Sequence, residues 1–289
     1  MSRQLGLALG GGGARGLAHL GVLIALEEAD IPISIIAGTS MGAAMGAAKA
    51  IGADLQASAK ILESLNLNAI LQVSDSAVRE VQKMVRRSMV EYVRGSAWRE
   101  EDYRPHDLAR LRELFRLLTA NKQFSDTVIP YCAVAANLET GERVLIRDGF
   151  LFEAIVASTS VPGVFSPVAS EGQFLVDGGV VDKLPADVVI DMGAEAVIAV
   201  NTAAPLDRGV TTCLDALLQT QRVTSTQLTN LQLACASERL KGHLLVLKPD
   251  VGWIRMFGFE HTQDAIQAGK DAVRARLDDI RALVGSTVD

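Results

Sequence analysis

Between Leu5 and Ile51 the chain twice repeats one pattern: a short apolar run, a glycine turn, then an apolar helix. Leu5–Leu9 reads as a buried strand and Arg15–Glu28 as a helix, with the consecutive glycines Gly10, Gly11, Gly12 and Gly13 between them. In that helix Leu17, Leu20, Val22, Leu23, Ile24 and Leu26 leave almost no polar face, so it must be covered on all sides. Ile33–Ala37 is a second strand, Gly38–Gly42 a tight turn, and Met41 to Ile51 an Ala-rich helix. A strand that passes through a helix to the next strand makes a crossover, and crossovers produce parallel pairing. The expected fold is α/β, a three-layer α/β/α arrangement around a mostly parallel central sheet. Aromatic residues are only 4% of the chain, so small aliphatic side chains must do the packing, as suits a sheet covered on both faces.

The later elements continue the same sheet. Thr127–Ala136 and Arg143–Ile146 read as strands joined by the hairpin-type turn Glu139-Thr140-Gly141-Glu142. Phe152–Ser158 is a helix, Phe174–Val176 a strand, and Pro185–Met192 a helix. Ala196–Val200 and Leu244–Leu247 are strands on either side of a long helix, Leu214–Lys241, and Thr262–Val284 is a closing helix. Residues 54–121 are helical in pattern, richer in charge and lack strand signals. They read as a helical insertion, because the sheet resumes after them, and a single domain over 1–289 is predicted.

The formal net charge of −6 argues against nucleic acid as a partner, since phosphate contacts need a basic face. Cys132, Cys213 and Cys235 are widely spaced, with no C-x-x-C pair, and suit neither a disulfide framework nor a zinc site. They are expected to pack as small hydrophobes in a reducing cytosol. The opening stretch Met1–Leu9 is too short for a signal peptide, and no run approaches the ~20 apolar residues of a spanning helix. A cytoplasmic protein is expected, soluble or peripheral at a membrane.

Gly11, Gly13 and Gly16 match G-x-G-x-x-G between a strand and a helix. A dinucleotide site also needs an acid near the end of the second strand, but that strand ends Ile35-Ile36-Ala37-Gly38-Thr39-Ser40, and Asp30 precedes it. No Gly-Lys-Ser/Thr follows either. What remains is a loop that lets backbone approach a ligand and a helix N-terminus that aims amide hydrogens at negative charge. A transient oxyanion suits that geometry as well as a phosphate does. The plain alternative is a turn with packing value alone.

Gly38-Thr39-Ser40-Met41-Gly42 is G-x-S-x-G between a strand and a helix, a turn that projects the serine hydroxyl above the sheet. Gly38 and Gly42 keep neighbouring side chains clear, and the helix from Met41 places its positive end beside Ser40. The alternative is a serine that merely caps that helix. None of His19, His106, His243 and His261 has the context of a catalytic base; His261, opening the last helix, is the best of them. Asp177 has a better one. It follows the apolar strand Phe174–Val176 and precedes Gly178-Gly179, at the strand end where open α/β sheets place ligands. Within hydrogen-bond reach of Ser40 it could take the hydroxyl proton directly. Read alone, Asp-Gly-Gly is equally a plain turn.

Together these residues resemble the patatin-like phospholipase family. Gly11-Gly12-Gly13-Ala14-Arg15-Gly16 is similar to its oxyanion loop, Gly38–Gly42 to its nucleophile elbow, and Asp177-Gly178-Gly179 to the block carrying its dyad aspartate. Ala18–Leu23, Ala157–Pro167, Val180–Pro185 and Asp264–Gly269 support the likeness, which runs from about Leu5 to Gly269. No family signature is visible in 54–121. The resemblance implies a phospholipase A or lysophospholipase type of acyl-ester hydrolysis through a Ser40–Asp177 dyad, without histidine, metal or cofactor. It also implies that the Gly11, Gly12 and Gly13 amides stabilise the oxyanion. Arg15 would organise the loop or attract a phosphate headgroup. The implied partner is a lipid or acyl-ester substrate, with membrane contact at the periphery.

Two further stretches bear on lipid contact. Val78–Arg99 interleaves Arg79, Lys83, Arg86, Arg87 and Arg94 with apolar residues, as a headgroup-binding or lid segment would, or a solvated amphipathic helix. Trp253, Met256, Phe257 and Phe259 would border an acyl channel or join the core. Other functions open at this point are a short-chain carboxylesterase or acyltransferase using the same residues, a nucleotide-binding module, and a non-catalytic regulator.

Overall fold

The computed structural model describes residues 3–71, 108–206, 209–211 and 213–285. Eight strands make one sheet: β1 (Leu5–Leu9), β2 (Ile35–Thr39), β3 (Tyr131–Asn137), β4 (Arg143–Ile146), β5 (Val168–Ser170), β6 (Gln173–Asp177), β7 (Ala196–Val200) and β8 (Leu244–Leu247). Strands β3, β2, β1, β7 and β8 lie side by side and pair in parallel, whereas β4, β5 and β6 join through antiparallel pairs. The expected α/β class and mostly parallel sheet are therefore present.

The helices are α1 (Ala18–Glu28), α2 (Met41–Ala50), α3 (Leu55–Ser64), α4 (Leu67–Leu71), α5 (Ala109–Leu118), α6 (Leu151–Thr159), α7 (Ala186–Asp191), α8 (Cys213–Arg239), α9 (Thr262–Arg274) and α10 (Leu277–Val284). The strand pleat sorts the two cores. Leu5, Leu7 and Leu9 of β1 pack with residues of α1, α2 and α9, while Ala8 faces Val188 and Val189 of α7 and Ala236 of α8. Each fully buried leucine on this sheet contributes about 2–3 kcal/mol. Helices α1 and α9 cross at Gly21 and Gly269, where a Cβ would overlap Ile266 O and Ala18 O. The Asp264–Gly269 stretch is thus a helix-crossing element.

Several features differ from the sequence expectation. The first helix begins as a 3-10 turn, Gly13–Leu17, before α1. Strand β5 was not anticipated; it pairs with β6 across Glu171 and Gly172, both at positive φ (49° and 77°), a tight hairpin turn. The closing helix is two helices, broken at Ala275-Arg276 without glycine or proline, and the break brings Ile280 and Val284 of α10 into the core beside β7 and β8. Only the flanks of the insertion, α3, α4 and α5, are described; Val78–Arg99 and His106 lie outside the described residues.

Strand β3 organises the functional edge. Both β2 and β6 share β3 residues with β4, so both must lie on the side of β3 opposite β4. There β2 ends with Thr39 opposite Val134, and β6, running the other way, ends with Asp177 opposite Ala135. Two strands converge head to head on consecutive residues of a third. The residue after β2 is Ser40.

Candidate active site

Ser40 has φ 55° and ψ −126°, a conformation that L-residues adopt only under constraint. Several contacts hold it there. Its N–H donates to Ser158 Oγ at 2.8 Å, and that hydroxyl donates to Val134 O at 2.6 Å. Its carbonyl accepts from the Ala43 and Ala44 amides at 2.8 and 3.2 Å, which starts α2. Thr39 Oγ1 donates to Asp182 O at 2.9 Å. A Cβ on Gly38 would overlap Gly42 O, and one on Gly42 would overlap Leu9 O, so the turn closes only with these glycines. The Ser40 side chain does not cap α2. It lies instead beside Asp177, whose pKa it helps to hold down.

Asp177 is buried, and its Oδ1 accepts from the Gly179 amide at 2.7 Å. Burial pushes its pKa up to about 6, opposed by the hydrogen bonds from Ser40 and Gly179 and by the nearby Lys183 charge. Near neutral pH it is thus mostly ionised yet basic enough to accept a proton. Gly178 packs so tightly on Val134 that a Cβ would overlap its carbonyl, which fixes the turn after Asp177.

The glycine loop lies against the serine turn: a Cβ at Gly11 would be 3.3 Å from Ser40 Cβ, and one at Gly16 would be 2.5 Å from Met41 Cβ. Of the three amides expected as oxyanion donors, that of Gly11 is already engaged, donating to Lys183 O at 2.9 Å. The Gly12 and Gly13 amides have no bond to any described residue. Gly13, at φ 59°, begins the 3-10 turn, and the Ala14 amide ties the loop to Met256 O at 2.8 Å. Arg15 is buried, donating through Nε to Thr202 O at 3.1 Å and through one Nη to Ile254 O at 2.9 Å. Burial, then the Arg222 charge, pushes it down to about 10. Its two backbone bonds tie the glycine loop to the segments that follow β7 and β8.

The three described histidines fall elsewhere. His19 Nε2 bonds Gly10 O at 2.6 Å, and burial pushes its pKa down to about 4, so it is a neutral strut under the loop. His243 bonds Leu240 O at 2.9 Å, and His261 pairs with Asp264 at 3.1 Å and with the Trp253 ring. The four-residue apolar group divides: Phe259 is core, while Trp253 and Met256 are exposed, Met256 beside Gly13. Sequence reasoning missed Ser158, whose only signal was its place within Ala157–Pro167, and the Lys183 carbonyl that holds the Gly11 amide. No helix among the described residues is long and apolar enough to cross a membrane.

A mostly parallel sheet with a strained serine turn, a buried carboxylate beside it and a glycine loop alongside defines an α/β protein of the nucleophile-elbow class. Residues 7–190 match the family described as patatin-like phospholipase, and the chain belongs to that family. It is 34% identical over 200 residues to an uncharacterised NTE family protein of Mycobacterium tuberculosis, covering 69% of this chain and 49% of that one. It is 30% identical over 215 residues to patatin-like phospholipase domain-containing protein 6 of Homo sapiens, covering 74% of this chain and 14% of that one. The chain thus spans about half, or much less, of the length of these relatives. Among solved structures, VipD from Legionella pneumophila superposes with a TM-score of 0.51 at 15% identity, over 96% of this chain and 67% of that one, a likeness of fold.

Proposed function

We propose that the chain hydrolyses acyl esters of lipids, as a phospholipase A or lysophospholipase, through a Ser40–Asp177 dyad. The juxtaposition of a strained, buried serine with a buried carboxylate whose pKa is raised to about 6, at strand ends that meet on consecutive residues of β3, carries the proposal. Ser40 Oγ attacks the ester carbonyl while Asp177 takes its proton. The Gly12 and Gly13 amides receive the oxyanion, each worth on the order of 3 kcal/mol. Collapse expels the alcohol with the proton from Asp177, leaving an acyl-serine. Asp177 then deprotonates a water that attacks the acyl-serine, and collapse releases the fatty acid as Asp177 returns the proton to Ser40 Oγ. Met256, exposed beside the glycine loop, and the exposed Trp253 three residues before it offer an apolar rim along which an acyl chain could enter from a membrane surface.

The test is hydrolysis of a p-nitrophenyl acyl ester by wild type, Ser40→Ala and Asp177→Asn, with folding checked by circular dichroism. Both variants should fold and lose turnover, and wild type should show an acyl adduct on Ser40 by mass spectrometry after rapid quench. Near-normal turnover in folded Ser40→Ala would end the proposal.

A further inference from the structure

The short segment from Asp177 to Lys183 ties the parts of the site together through its main chain. Asp177 opens it, with its amide donating to Ser160 O at 2.9 Å. Gly178 O accepts from the Val181 and Asp182 amides at 3.0 and 2.8 Å, which closes a turn. The next carbonyls, on successive residues, each serve a different element. Val181 O accepts from Gln232 Nε2 of α8 at 3.3 Å, Asp182 O from Thr39 Oγ1 at 2.9 Å, and Lys183 O from the Gly11 amide at 2.9 Å. Thr39 directly precedes the nucleophile, and Gly11 borders it. A shift of this segment therefore moves the Asp177 carboxylate, the serine turn and the glycine loop relative to one another.

A side chain from another strand grips that segment. Asp182 is fully buried, and its Oδ2 accepts from Arg143 Nη1 at 2.6 Å. The same nitrogen donates to Asp187 Oδ2 of α7 at 2.7 Å. Arg143 belongs to β4, on the side of β3 opposite β2 and β6. It stands opposite Ala136, next to Ala135, the residue that Asp177 faces. The other oxygens of the two carboxylates, Asp182 Oδ1 and Asp187 Oδ1, are buried with no hydrogen-bond partner among the described residues. Burial and the Asp187 charge raise the Asp182 pKa to about 6, against the pull of Arg143 and the Leu184 amide. A buried carboxylate that loses its cation must take up a proton or move toward water. Either response frees the segment from β4.

We infer that Arg143, acting through Asp182, is a positioning residue for acyl transfer, locking segment 177–183 so that carboxylate, serine turn and glycine loop keep one arrangement. The inference rests on the acyl-hydrolase reading and adds to it a residue from outside the site. Arg143 holds; it neither binds substrate nor moves a proton.

The experiment compares the full chain as wild type, R143M, R143K, D187N and R143M/D182N on a p-nitrophenyl acyl ester, with thermal unfolding alongside. R143M should lower kcat about thirtyfold and leave KM within about twofold, inside the range that a displacement of ~1 Å costs. One nitrogen serves both carboxylates, so a lysine ammonium can replace it, and R143K should return kcat to within about fivefold of wild type. D187N leaves the Arg143–Asp182 pair in place, and its kcat should stay within about twofold of wild type whatever its Tm. The double variant removes the cation together with the buried charge it compensates, so Tm should recover relative to R143M while kcat stays low. That arm carries the test if R143M does not fold. A kcat that recovers with Tm in the double variant, or falls as far in D187N as in R143M, overturns the positioning role. Ser40→Ala on the same ester separates the two readings. Turnover that survives there refutes the dyad, whereas turnover lost there with wild-type kcat in folded R143M refutes the positioning role alone.

Discussion

Replacing Asp177 by asparagine should remove activity and, at neutral pH, raise stability. Burial lifts the Asp177 pKa from 3.8 to about 6 in the folded chain. Below about pH 3.8 the carboxyl is protonated in both states and adds no pH dependence. Between 3.8 and about 6 the unfolded state loses its proton first, so wild-type stability falls as pH rises. Above about 6 both states are ionised and the deficit is constant. At 1.36 kcal/mol per pKa unit the gap corresponds to about 3 kcal/mol, an upper limit for what Asp177→Asn can recover. Asparagine keeps an oxygen for the Gly179 amide and an NH2 toward Ser40, so the site need not collapse. For a chain of this length that is a Tm rise of roughly 5 °C at about pH 8, shrinking toward zero near pH 4. Differential scanning fluorimetry across that range, beside the ester assay, reads both effects. A variant that is inactive and also less stable than wild type at about pH 8 would refute the reasoning, because the buried charge would then be a net stabiliser.

Other outcomes follow from neighbouring groups. The kcat/KM of wild type for a neutral ester should rise about tenfold from about pH 5 to about pH 7, levelling above the Asp177 pKa of about 6, as a stopped pH series would record. Ser158→Ala leaves the Ser40 N–H buried without its acceptor, and kcat should drop about tenfold while thermal unfolding shows a loss of about 1–3 kcal/mol. Gly13→Ala puts a Cβ into Met256 O at a positive φ, and should displace the loop enough to lower kcat about a hundredfold with the fold retained by circular dichroism. Arg143 pairs with Asp182 at 2.6 Å and Asp187 at 2.7 Å. Arg143→Met should destabilise by about 3 kcal/mol in denaturant titrations at about pH 8. That loss should shrink below about pH 6, where buried Asp182, its pKa raised by burial and by Asp187, is already protonated.

Much of this molecule could be read along the chain because its information is local. Four of the five parallel strands are apolar runs whose positions hold to within two residues, since burial on both faces demands uninterrupted aliphatic sequence. The glycine loop and the serine turn were legible because each is set by a few adjacent residues whose backbone geometry excludes other side chains. The break at Ala275-Arg276 was not legible, because no local residue imposes it; the core on either side of it does. Nor was the engaged Gly11 amide, whose acceptor, Lys183, is remote in sequence.

The sequence by itself determined the periodicities, the two glycine turns and the types of side chain available for chemistry. It placed Asp177 at a strand end, but assigned that end to the ligand-bearing edge of a parallel sheet. Only the tertiary structure decided that β6 runs antiparallel, ending against β2 on consecutive residues of β3, and so brought Asp177 to Ser40. Strand direction and register arise from pairings between distant segments, whose free energy is shared across the whole sheet and recorded in no short stretch of chain. For the same reason the burial of Asp177 and the anchoring of Ser40 by Ser158 belong to the folded molecule alone.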